Sequence, residues 1–353
     1  MKLKQIFLPY ITLSLVTVCL YAQKGQTEST PQFLKEATLP CGKQPKQVLF
    51  STDNKFIVLP LLDDKGFEVI EIAADATTQS HASKMINPPN AKKLGFAEGL
   101  FVPEKNAFFV SQMTTANIYE YTYTPGSSID TAFTFKRTIS TGGNWSKFIV
   151  WSHDKQLLAV SNWVSNDVSL IDYDSGKIVR MIKTAAAPRG LAFLDNGNEI
   201  LVLCFDGGVI QKFNTQTGKL LNSISIKNSA MRHVVVNQTT AYISDMYHGS
   251  VYVIDLNTFK IIATWKVFNN PNTLALLDNK YLIVSSRGPN NPNDYTKPSL
   301  VDGKITIFDT TNGLIVTTLK GGNQPTGLAV SSDGKWMCFS NFQDANIELY
   351  KVK

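Results

Sequence analysis

What the chain lacks narrows it first. Four cysteines and four histidines in 353 residues are too few for a disulfide framework or a histidine-rich metal centre, and no His–Cys pair has metal-ligand spacing. Lys and Arg number 34 against 28 Asp and Glu, a net charge of +6, which is not by itself a nucleic-acid signature. Helical periodicity is scarce. The Gly-x-Ser-x-Gly elbow, the Walker-type phosphate loop and the His-Glu-x-x-His helix are all missing, which removes the common hydrolase and nucleotide-handling signatures.

The beginning of the chain has the form of an export signal. Lys2 and Lys4 precede an apolar run from Ile6 to Leu20, and Tyr21-Ala22-Gln23 supplies a cleavage site after Ala22. Pro9 interrupts the run, which is short for a membrane anchor, and Val18 before Cys19 does not suit lipidation. The expected division is a signal peptide over residues 1–22 and one domain over 23–353, placed in the periplasm or secreted. Without Lys2 and Lys4 the net charge falls to +4, and Cys41, Cys204 and Cys338 remain, enough for one disulfide at most. No later run is long and apolar enough to cross a bilayer.

What the chain does contain is a repeat with a period near 40–50 residues. Pro188-Arg189-Gly190-Leu191-Ala192-Phe193 matches Pro325-Thr326-Gly327-Leu328-Ala329-Val330, and Asn196-Gly197 and Asp333-Gly334 follow as tight-turn dipeptides. A second apolar run ends in a polar pair, as at Ser161-Asn162, Ser244-Asp245 and Ser340-Asn341. A third closes on an acidic turn, as at Val168–Asp172, Val251–Asp255 and Ile305–Asp309, and a fourth strand follows. Copies beginning at Pro45, Ala97, Trp145, Pro188, Met231, Pro271 and Pro325 make seven. The last copy has three strands, so Phe33–Leu39 is expected to supply its outer strand. The predicted fold is all-β: a seven-bladed β-propeller of four-stranded blades, the last closed by the N-terminal strand.

These motifs resemble the YVTN-repeat, YncE-like β-propeller family, most clearly over Leu158–Leu203 and Gly321–Asn341. The sequence departs from the pattern where Tyr121–Phe133 lengthens a hairpin in blade two and where Arg287–Val301 inserts a loop in blade six. The resemblance implies a scaffold fold whose members bind nucleic acid or accompany redox enzymes, and it implies little about activity.

Propeller geometry predicts two rings of residues at one mouth of the channel. The first reads Lys46, Glu98, Ser146, Arg189, Arg232, Asn272 and Thr326, and the second Leu61, Met113, Trp163, Phe205, Met246, Arg287 and Phe342. Arginines beside aromatic and Met side chains suit a planar or anionic ligand. The expected ligand-binding set is Arg189, Arg232, His233, Asn272, Arg287, Asn290, Asn291, Trp163, Phe205, Met246 and Phe342. His233 falls in the inner strand of blade five, and Asn290 and Asn291 in the blade-six insertion. The ordinary alternatives are packing between blades for the large side chains and links to Asp206 or Asp245 for the arginines.

The leading expectation is a monomeric binding or scaffold protein of the cell envelope, engaging a small molecule or an envelope protein, with no cofactor, no metal and no catalytic residue. Two other readings stand beside it. One is a lactonase-like hydrolase using His233 or Glu98 as general base. The other is single-stranded DNA binding through Trp163 or Phe342 beside basic residues, as the family resemblance allows.

Overall fold

Runs of β-branched and aromatic residues, cut every few residues by Gly, Asn and Asp turns, become short antiparallel strands throughout the chain. The computed structural model describes residues 30–72, 81–89, 91 and 94–353. The expected signal peptide lies outside the described residues. The unit Gln32–Lys353 consists of seven four-stranded antiparallel sheets, with two short 3-10 turns as its helical content among the described residues. The inner strands are Leu49–Phe50, Phe96–Val102, Ser146–Ser152, Pro188–Leu194, Met231–Asn237, Pro271–Leu277 and Pro325–Val330. The seventh sheet is completed by Phe33–Pro40, which pairs antiparallel with Asn346–Val352, so the two chain ends share one blade as expected. That pairing covers a strand edge that would otherwise be open.

The core is divided among the seams between blades rather than gathered at one centre. Among the described residues each of the seven seams holds its own apolar cluster. That between blades one and two is the most aromatic, with Phe67 against Phe108 at 4.9 Å and against Tyr121 at 5.2 Å. The lengthened hairpin of blade two is tied back onto blade one, where the Asp53 carboxylate accepts from the Tyr123 hydroxyl at 2.6 Å and the Gly126 amide at 2.8 Å. Burial keeps Tyr123 protonated, so it acts as a donor here.

A second, polar linkage crosses five of the seams. In blade three the Phe148 amide donates to Ser161 Oγ, and that hydroxyl donates at 2.8 Å to the carbonyl of Arg189 in blade four. The same relay runs through Ser111 to Lys147, Ser244 to Asn272 and Ser285 to Thr326, and through Ser340 to Pro45 across the closing seam. Blade four has Leu203 at this position and packs it against the adjacent inner strand. Gly190 makes room there, since a Cβ on it would lie 2.9 Å from Leu203 Cδ1. In blade one the Gln47 side chain substitutes by accepting from the Gly99 amide.

The closing seam also requires Gly327, where a Cβ would lie 2.7 Å from the Gln47 and Val48 backbone. Replacing Ser340 by Ala leaves the buried Gly327 amide and Pro45 carbonyl without their shared partner. Unfolding in urea should show a loss of about 1–3 kcal/mol; an unchanged midpoint would mean that the hydroxyl carries no weight in closing the ring.

Candidate functional site

Strand register fixes which side chains meet at the mouth. Each inner strand opens on a residue paired with the end of the second strand: Pro45 with Leu61, Phe96 with Gln112, Ser146 with Asn162, Pro188 with Cys204, Met231 with Asp245, Pro271 with Ser286 and Pro325 with Asn341. This corrects the sequence reading at three places. The second and third copies start at Phe96 and Ser146, so the first ring is Lys46, Ala97, Lys147, Arg189, Arg232, Asn272 and Thr326. Leu61 belongs to the core, and Leu62 takes its place in the second ring.

Seven equivalent hydrogen bonds tie that second ring to the turn before each inner strand. The amides of Leu62, Met113, Trp163, Phe205, Met246, Arg287 and Phe342 donate to the carbonyls of Gln44, Gly95, Trp145, Ala187, Ala230, Asn270 and Gln324. Six of those acceptors, all but Ala230, have positive φ, which swings the chain sharply into the channel wall. The two predicted rings therefore do meet at one face.

At their centre stands Glu98, one residue beyond the first ring. Its Oε1 accepts from Arg189 Nη2 at 2.6 Å, and Arg232 Nη1 lies 3.9 Å away, so residues from blades two, four and five converge on one carboxylate. All three side chains are buried: Arg189 is 2% exposed, and Glu98 and Arg232 are each 4% exposed. Among the described residues Arg189 thus bonds to Glu98, with Arg232 at ion-pair distance from the same oxygen, and neither arginine pairs with Asp206 or Asp245. Asp245 is itself taken by Ser229, Ala230 and Tyr252.

Two lysines and a third arginine complete the charge. Lys147 Nζ sits 4.2 Å from the Trp163 ring centroid. Lys46 and Arg287 lie over the Phe342 ring at 5.1 and 5.2 Å, and Arg287 also donates to Gln324. Burial and the neighbouring Arg189 push Lys147 down to about 7, and burial with Arg189, Arg287 and Lys147 holds Lys46 well below its ordinary value. Burial and Arg189 bring Arg287 to about 10. Burial also raises the Glu98 carboxyl, against the pull of Arg189, Lys46 and Lys147. Four cationic side chains thus face Glu98 with Arg287 beside Arg189 and Lys46, and Arg189 Nε and Arg287 Nε are buried with no acceptor.

The remaining predicted residues divide between lining and support. Trp163 and Phe205 are half-buried and in contact at 4.9 Å, and Phe205 continues to Tyr247 at 5.7 Å. Asn272 is buried with its amide 3.9 Å from Met246 Sδ. His233 meets Phe148 edge-on at 5.2 Å across Gly190, and its Nδ1 accepts from the Leu274 amide at 3.4 Å. Burial and Arg189 push its imidazole down to about 3, so it is neutral at physiological pH.

Asn290 and Asn291 build the insertion rather than face the channel. Asn290 accepts from Asn270, and Asn291 donates to the Pro298 carbonyl. The loop is fastened to blade seven by reciprocal bonds between Ser299 and Asn323. Sequence reasoning missed Lys147, displaced by the one-residue slip in blade three, and it placed Glu98 in the ring without its partners. The Trp145-Ser146-Lys147 triplet aligned on its serine would have supplied the lysine. Among the described residues no group of three or more His, Cys, Asp or Glu is placed to hold a metal ion, and no helix is long and apolar enough to cross a membrane.

Two measurements probe this arrangement. Glu98→Gln leaves the arginines buried without their carboxylate and should cost about 3–5 kcal/mol in denaturant unfolding; a change smaller than about 1 kcal/mol would show the pair to be solvent-screened. His233 has a folded pKa near 3 against an ordinary 6.5, so the unfolded chain binds the extra proton. Its contribution to stability is therefore present above about 6.5 and is lost as pH falls toward 3. His233→Phe should flatten the stability profile across that window, whereas an unaltered slope would place the acid sensitivity elsewhere.

No protein-family profile matches the chain. Antigen Lp49 of Leptospira interrogans serogroup Icterohaemorrhagiae serovar copenhageni (strain Fiocruz L1-130) is 35% identical over 323 residues, covering 88% of this chain and 68% of that protein. With two thirds of the relative spanned at this identity, the chain belongs to the family of antigen Lp49.

Proposed function

We propose that this chain is an exported binding protein that holds an anionic ligand at the mouth of its propeller channel. One observation carries the reading: three arginines and two lysines are gathered at one mouth, four of them on the single carboxylate of Glu98, with two buried guanidinium nitrogens left without acceptors. A buried donor without a partner is costly, and like charges held together in a partly dry site repel. A bound anion relieves both. The ligand is a small molecule or an anionic group presented by an envelope protein. The export signal at Lys2–Gln23 and the relative's name as an antigen support a place in the periplasm or outside the cell. The YVTN-repeat, YncE-like kinship remains part of this proposal and rests on the Pro-x-Gly, Ser-Asn and Asp-Gly motifs.

The two other readings fit the site less well. Lactone hydrolysis needs a free general base, but His233 is pushed down to about 3 and Glu98 is engaged by Arg189. Base stacking needs open aromatic faces, but cations of the protein itself lie over Trp163 and Phe342.

The test is a thermal-shift screen of small anions, followed by calorimetry on the double variant Arg232→Gln, Arg287→Gln. Those two are chosen because Arg189 also holds Glu98. Ligands stabilising the wild-type protein should bind the double variant at least tenfold more weakly, at a melting temperature within a few degrees of the original. Undiminished binding would move the site elsewhere.

A further inference from the structure

We infer that the mouth takes a tetrahedral oxyanion carrying two or more negative charges, of the phosphate and sulfate class, and that Lys46 and Lys147 take up protons from solvent as it binds. The inference rests on the reading of the mouth as an anion site and goes on to specify the charge and the proton balance of the occupant.

The charge count comes first. Arg189, Arg232, Lys46 and Lys147 face Glu98, Arg287 stands beside Arg189 and Lys46, and Asp206 also acts on Lys147. With both lysines protonated the five cations exceed Glu98 and Asp206 by three charges, so a divalent anion leaves an excess of one and a monovalent anion an excess of two. The donor set agrees. Arg189 Nε and Arg287 Nε are buried with no acceptor, and among the described residues neither lysine has a carboxylate within ion-pair distance. Several donors converging from different blades suit an acceptor with oxygens on all sides, while a carboxylate presents two in one plane.

Proton uptake follows from what surrounds each lysine. Lys147 is faced by Arg189, Glu98, Asp206 and the rings of Trp145 and Trp163. Lys46 is faced by Arg189, Arg287, Lys147, Glu98 and the Phe342 ring. Around Lys46 three cations face one carboxylate, and around Lys147 burial with Arg189 outweighs Glu98 and Asp206, so the empty mouth favours the neutral amine at both. Lys147, at about 7, is largely deprotonated by pH 8. A divalent anion reverses the local field and restores both ammonium groups, and the imidazole of His233 stays neutral throughout.

Sulfate is the probe of choice because its charge is constant across the range, and inorganic phosphate and acetate serve as companions. Calorimetry at pH 8 in two buffers of contrasting ionisation enthalpy should report net proton uptake on sulfate binding. The sulfate Kd should rise roughly ten- to a hundredfold from pH 7.5 to 8.5, following the linkage of about tenfold per proton per pH unit for one to two protons. Lys147→Arg should keep sulfate binding while losing about half of the uptake, the Lys46 share remaining, and acetate should bind at least tenfold more weakly than sulfate. Absence of sulfate and phosphate binding at millimolar concentration would overturn the inference. Equal affinity for acetate would do the same, as would binding without proton uptake. If other anions bind and the Arg232→Gln, Arg287→Gln variant loses them, the mouth remains a binding site and only the oxyanion class falls.

Discussion

The architecture depends on a hydroxyl placed between two blades. At five of the seven seams a serine on the second strand accepts an amide from its own inner strand and donates to a carbonyl of the next. Apolar clusters supply most of the attraction between blades, but apolar contact is non-directional and would allow neighbouring sheets to slide. The relay is directional. It sets the height of each inner strand relative to the next, and so decides which side chains share a level in the channel. The two seams without the serine show the same requirement met by other means: Leu203 packed over Gly190, and Gln47 reaching Gly99.

That shared level is what brings Glu98, Arg189 and Arg232 together from three blades. None of these residues is near another in sequence except through the repeat. The burial of Glu98 and Arg189 is stabilising only as a pair, because a lone carboxylate or guanidinium in this channel would be left unpaired, whereas Arg232 stands 3.9 Å off. The two lysines lie outside the pair. They rest over aromatic rings, and burial together with the neighbouring cations depresses their basicity. The mouth therefore combines a fixed ion pair with a periphery whose charge varies with conditions.

Much of the architecture was legible in the sequence because propeller blades repeat their turns. Pro-x-Gly, the Ser-Asn pair and the Asp-Gly turn recur wherever the backbone must approach its neighbour or bend with positive φ, and those needs select residue types strongly. The blade count, the closing strand and the position of the insertion all followed. Register failed where the markers weaken. Blades two and three have no proline opening the inner strand, and in blade two Gly99 matches Gly190 by sequence while pairing in register like Leu191, so the markers slipped by one residue at Ala97 and Trp145. The site was less legible. The contact of Glu98 with Arg189 spans 91 residues, and no local pattern carries it. Asn290 and Asn291 looked suited to a ligand because turn-forming and ligand-binding side chains are chemically alike, yet here their amides hold the loop.

The relay has a consequence for divergence. Because the hydroxyl grips the main chain at four of the seven first-ring positions, the side chains there are not what holds neighbouring blades at one level. Lysine, arginine, asparagine and threonine occupy equivalent stations on an almost unchanged frame. A descendant could rewrite the chemistry of the opening one station at a time, keeping the disc intact while its preference drifts.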